Sequence, residues 1–90
     1  KDQHAHARER LKLRFDIYLN SNQMQELVAR LRKGEFTCLE KQSRRVTVYA
    51  MTIQDQEVVG FYDKNTHQFA TFITPEMYAA RDKTKYQYHE

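Results

Sequence analysis

Apolar residues recur every three or four positions up to Gly34 and at alternate positions beyond it, so the hydrophobic period itself divides the chain. In the first stretch Ala7, Leu11 and Phe15 stand at i, i+4 and i+8, which predicts an amphipathic helix over 2–15 with His4 projecting near its apolar stripe. A strand-like alternation competes with it toward the end: Leu11, Leu13, Phe15, Ile17 and Leu19 interleave with mostly polar residues. Asn20, Ser21 and Asn22 offer N-caps for a second helix over 22–33. Its Met24, Leu27, Val28 and Leu31 follow the i, i+3, i+4, i+7 template, and Leu27 and Leu31 are the expected core anchors. Arg30, Arg32 and Lys33 suit the negative end of the helix dipole, and Gly34 suits the cap.

After Gly34 the stretches 35–42, 45–53, 57–63 and 68–74 are rich in Val, Thr, Tyr, Phe and Ile and are separated by short polar breaks. They predict four strands in an antiparallel meander. In the second, Val46, Val48 and Ala50 alternate with Thr47, Tyr49 and Met51, which gives one face to the helices and leaves the other partly wet. The clearest turn is 63–67, where Asn65 is the expected left-handed residue. Thr74, Pro75 and Glu76 combine a capping side chain, a proline at the first helical position and an early acid, and so start a short helix. A polar tail follows, in which Lys83, Lys85, Tyr86 and Tyr88 are expected to be loosely ordered. The pattern therefore predicts an α+β fold: a single domain over 1–90, with two N-terminal helices on an antiparallel sheet of about four strands and a short C-terminal helix.

Composition narrows this picture. Ninety residues suit one small core, and only two Gly and one Pro argue against disorder or a long linker. The apolar runs 58–62 and 69–73 are far shorter than the roughly 20 residues of a membrane span, and there is no signal-peptide pattern, so no membrane partner is expected. The lone Cys38 excludes an internal disulfide and reads as a structural thiol in a strand, which makes a reducing, cytoplasmic setting the default.

Charge points toward chemistry. Lys1, Arg8, Arg10, Lys12 and Arg14 outnumber Asp2 and Glu9 by three, which equals the whole chain's net charge of +3. One helix thus carries the footprint for an anionic partner such as RNA. On it His6, Arg10 and Arg14 fall at i, i+4 and i+8 and share a flank. An imidazole that moves protons near neutral pH, beside guanidiniums that grip phosphate, suits phosphodiester chemistry. Tyr49, Tyr62 and Lys64 beside Arg44 and Arg45 form a second candidate surface, for stacking bases and neutralising phosphates. His4 and His6 point about 200° apart on a helix, a poor chelate, so neither a metal nor a cofactor is predicted.

The pattern His6-Ala7-x-x-Arg10-Leu11-x-x-Arg14-Phe15, a second helix over 24–31, and a sheet ending in Tyr62-Asp63-Lys64 and Phe69-Ala70-Thr71-Phe72-Ile73 resembles the small toxin-type ribonuclease superfamily that includes barnase, colicin D and RelE. Within it the chain is most similar to small domains that open with a His-Ala-x-x-Arg-x-x-x-Arg helix and close on a Thr-containing strand. The resemblance implies metal-independent RNA cleavage, in which a base deprotonates the ribose 2′-hydroxyl for attack on the adjacent phosphate and an acid protonates the leaving oxygen. It makes His6 the acid or base, Arg10 and Arg14 the cations on the phosphoryl oxygens, and Thr71 a hydroxyl donor to phosphate, so that His6, Arg10 and Thr71 are catalytic. Arg14, Arg45, Tyr62 and Lys64 are then substrate-binding, and an antitoxin or immunity protein is a neutralising partner. The segment 75–90 is an addition to the superfamily's pattern, placed to cover a substrate face or to take part in self-association. The alternative is a non-enzymatic phage or mobile-element accessory module that binds or inhibits a protein or nucleic acid. A cleft joining His6 and Arg10 to Thr71 marks the enzyme, and dispersal of those groups marks the module.

Overall fold

A computed structural model of the chain describes residues 3–81, with side chains described from Ala5 onward. The expected helix start at Asp2, the side chain of His4 and the tail residues Lys83, Lys85, Tyr86 and Tyr88 lie outside the described set.

Helix α1 spans Gln3–Phe15 and buries Ala7, Leu11 and Phe15, as their spacing requires. It stops where Asp16 turns left-handed at φ 57°, with the Asp16 and Ile17 amides returning to the Lys12 and Leu11 carbonyls. The competing alternation then takes over in an extended connection: Ile17 and Leu19 are buried while Asp16, Tyr18 and Asn20 are exposed. Leu13, the earlier member of that alternation, points to solvent. Helix α2 spans Ser21–Arg32. Asn20 caps it in a reciprocal box with Gln23, each side chain accepting from the other's backbone amide at 2.8 Å. Gly34, at φ 80°, closes it in a Schellman pattern, with the Gly34 amide donating to Leu31 and the Glu35 amide to Arg30. Met24, Leu27 and Val28 are buried, whereas Leu31 packs only at the rim of the core.

Four strands follow, β1 (Thr37–Lys41), β2 (Val46–Ile53), β3 (Gln56–Asp63) and β4 (Gln68–Ile73), paired antiparallel in the order β1-β2-β3-β4. Gln54 and Asp55 both have positive φ between Ile53 and Gln56, the geometry of a two-residue type I′ hairpin. At the β3–β4 turn the left-handed residue is His67 at φ 60°, not Asn65. The Asp63 carboxylate accepts from the Asn65 amide at 2.9 Å, so aspartate organises the turn from its first position.

Residues that pair across strands share a face, which sorts the sheet into two cores. Met51, Ile53, Val58, Tyr62, Phe69 and Phe72 meet α1 and α2. Val46, Val48, Val59, Phe61 and Ile73 form a second cluster on the opposite face, against which Tyr78 packs from α3 (Pro75–Ala80). The face expected to be partly wet is therefore largely buried. Thr74 caps α3 by accepting from the Met77 amide, with Pro75 in its first turn. Tyr78 and Arg81 both donate to the Glu40 carboxylate at 2.6 Å, which ties α3 to β1. Arg81 lies over the Tyr78 ring at 4.3 Å.

Candidate nucleic-acid interface

Helix α1 packs chiefly against β4, and two guanidiniums fasten its flanks. Arg14 Nη1 donates to the Phe72 carbonyl of this edge strand at 2.8 Å. On the other side Arg8 Nε donates to the Leu19 carbonyl at 2.9 Å, closing the connection that leads to α2. Two of the basic residues expected to serve phosphate thus also hold the helix in place. His6, Arg10 and Arg14 do share a half-buried flank, as their spacing dictates. His6 Nε2 is buried there and accepts or donates no hydrogen bond. Leaving such a group unsatisfied costs about 1–3 kcal/mol.

Thr71 does not join them. Across the β3–β4 ladder it faces Phe61, a member of the second cluster, while its neighbour Phe72 faces Gly60 and the helices. An irregularity between Phe61 and Tyr62 leaves Phe69 on the helical face and turns Thr71 away. Strand β4 therefore stands between the Thr71 hydroxyl and the α1 flank. The hydroxyl is fully buried and has no hydrogen-bond partner.

The second predicted surface is also rearranged. Tyr62 is buried on the helical face, edge-on to Phe69 with ring centroids 5.5 Å apart, and has no face free for a base. Tyr49 is half-buried beside it, and burial, followed by the nearby Cys38 and Tyr62, raises its hydroxyl's pKa. Arg45 Nε bonds the buried Asp63 carboxylate at 2.7 Å, and the Lys64 amide donates to the Arg45 carbonyl. Arg44, Arg45 and Lys64 form a basic end of the sheet without an aromatic platform. Cys38 is exposed on edge strand β1, so it is not the structural thiol its strand setting suggested.

The exposed aromatic that sequence reading passed over is Tyr18. Its ring is 63% exposed, Leu13 is 66% exposed, and the Lys12 ammonium lies 5.8 Å from the Tyr18 centroid. Arg8, Glu9, Lys12 and Leu13 line a shallow hollow of about 330 Å³ along the same side of α1. The available signal was the alternation itself: with Phe15, Ile17 and Leu19 inside, Tyr18 must face out. Asp16 accepts from the Tyr18 hydroxyl and raises its pKa, first through that hydrogen bond and then through its charge.

No family model matches the chain, and neither a curated protein nor a solved structure matches it. No helix among the described residues is long and apolar enough to cross a membrane. Among those residues no three His, Cys, Asp or Glu side chains group as metal ligands would.

Proposed function

We propose that this chain is a non-enzymatic module that binds single-stranded RNA along the outer side of α1. The observation that carries the reading is the exposed Tyr18 ring with Lys12 over it, continued by Leu13 and the Arg8 hollow. An aromatic face takes an unstacked base whatever its identity, and adjacent cations neutralise the flanking phosphates. The cytoplasm is the setting proposed for the module. The test is fluorescence anisotropy with a short single-stranded RNA. Phosphate contacts from Arg8 and Lys12 give a salt slope of about −1.4, hence about a sevenfold loss of affinity between about 50 mM and about 200 mM salt. No binding at the lower salt, or binding indifferent to salt, overturns it.

A second reading, metal-independent cleavage of RNA, is favoured by the unsatisfied Nε2 of His6 beside Arg10 and Arg14. Buried polar groups without partners are uncommon. In this reading the chain is a toxin-type endoribonuclease: His6 moves the proton between the ribose 2′-hydroxyl and the leaving oxygen, and Arg10 holds the phosphoryl oxygens. Thr71, on the far face, takes no part, and a neutralising protein is the natural partner of such an enzyme. Incubating the protein with RNA in EDTA separates the two readings. Cleavage that falls about 100-fold or more in His6→Ala supports the enzyme, and intact RNA at concentrations that bind it supports the module.

A further inference from the structure

A polar groove of about 340 Å³ lies between α2 and the β3–β4 turn, away from the α1 surface, lined by Gln25, Val28, Ala29, Arg32, Thr66, His67 and Gln68. Its polar side chains are a guanidinium, an imidazole, two amides and a hydroxyl, all able to donate hydrogen bonds, and no carboxylate lines it. Arg32 gives the groove a positive charge, and each of the other polar side chains has a donor to offer an oxyanion. His67 enters the groove from a left-handed backbone at φ 60°, where glycine or asparagine is more at ease, and its amide is held by the Asp63 carbonyl at 2.9 Å. Asp63, which organises the adjoining turn, is buried and accepts from the Asn65 and Thr66 amides and from Arg45. The Arg45 guanidinium at 2.7 Å offsets its charge. The basic sheet end of Arg44, Arg45 and Lys64 adjoins the same turn and adds positive potential to it.

We infer that this groove is a phosphate-binding site, with Arg32 gripping the anion and His67 donating to it from the turn. The inference stands independently of the α1 surface. Phosphate of this kind comes either from an RNA backbone or from a free nucleotide, and both offer the same oxygens to Arg32 and His67.

The experiment is an NMR titration of the full chain with inorganic phosphate, repeated for Arg32→Gln and His67→Asn. Asparagine keeps the left-handed turn while removing the imidazole. Saturable shifts centred on Arg32, Thr66, His67 and Gln68, weakened about three- to tenfold in either variant, are expected. Shifts that never saturate, or that both folded variants leave unchanged, overturn the site. Circular dichroism of each variant establishes that it is folded. Parallel titrations with a ribonucleoside monophosphate and a single-stranded RNA assign the source by which ligand loses more affinity in Arg32→Gln. Loss of RNA binding in α1 variants alone leaves this groove untouched, so its failure and that of the α1 reading are distinguishable.

Discussion

At the scale of single residues, the structure concentrates its tightest constraints where the chain has least freedom to substitute. A Cβ added at Gly60 meets Met51 Cε at 2.8 Å and the Phe69 and Phe72 rings at 3.1 Å. Met51 can swing, but the two rings are packed with centroids 5.0 Å apart. Gly60→Ala should therefore cost about 1–3 kcal/mol, measurable by denaturant unfolding. Leu27, buried beneath α2, should cost about 2–5 kcal/mol as Leu27→Ala in the same assay. A cost below about 0.5 kcal/mol, the range of surface changes, would falsify its place in the core. Leu31 belongs to the rim and should lose less. Some residue-level features were legible from types alone, such as the Gly34 cap. Others were not: type permits Asn65 to turn left-handed, but the Asp63 carboxylate captures the Asn65 amide and shifts the left-handed position to His67.

Among elements, α3 is the one whose attachment depends on a titratable group. Tyr78 is held by Glu40 and stacked by Arg81, and its pKa is pushed up to about 12. Burial is the main cause, followed by the hydrogen bond to Glu40 and that carboxylate's charge, with Arg81 opposing. The unfolded phenol titrates near 10.0, so between there and about 12 the folded state keeps a proton the unfolded state has lost. Stability from this group is complete below pH about 10 and is lost as pH rises through about 12. Thermal melts by circular dichroism should show this alkaline decline, and Tyr78→Phe should flatten it. Tyr49 and Tyr18, also raised, act in the same direction. A Tyr78→Phe decline identical to wild type contradicts the latch.

The elements themselves were largely readable, because helix and strand periods differ and the cap residues mark their ends. Less readable was 15–19, where alternation signalled an extended segment but not whether another strand would pair with it. The hairpin at 54–55 also escaped recognition, since its two left-handed positions carry Gln and Asp in place of the usual Asn and Gly. The sides of β4 required the fold. Period two alone sets Phe69 and Thr71 on one face, and only the irregularity beside them separates the two. That single slip removes Thr71 from the predicted catalytic group.

For the whole molecule, the consequence is a sheet with two cores and cations distributed over separate surfaces. Arg8 and Arg14 fasten α1, Arg81 fastens α3, and Arg45 serves Asp63. Counting charges along the chain does not show how many are already engaged, because backbone carbonyls hold part of Arg8 and Arg14. The exposed Lys12, Leu13 and Tyr18, with Arg8 beside them, define the proposed RNA surface in place of the sheet tyrosines. Tyr18→Ala should weaken single-stranded RNA by about 1–3 kcal/mol if one base stacks there, without lowering the melting temperature appreciably, since the ring is already in water. The most direct measurement of that surface is a two-dimensional amide NMR titration of the full chain with a single-stranded RNA. The account predicts shifts concentrated on Arg8, Lys12, Leu13 and Tyr18, and fading as salt is added. Shifts confined to the opposite sheet face around Thr71 and α3, with the α1 residues unmoved, would contradict it.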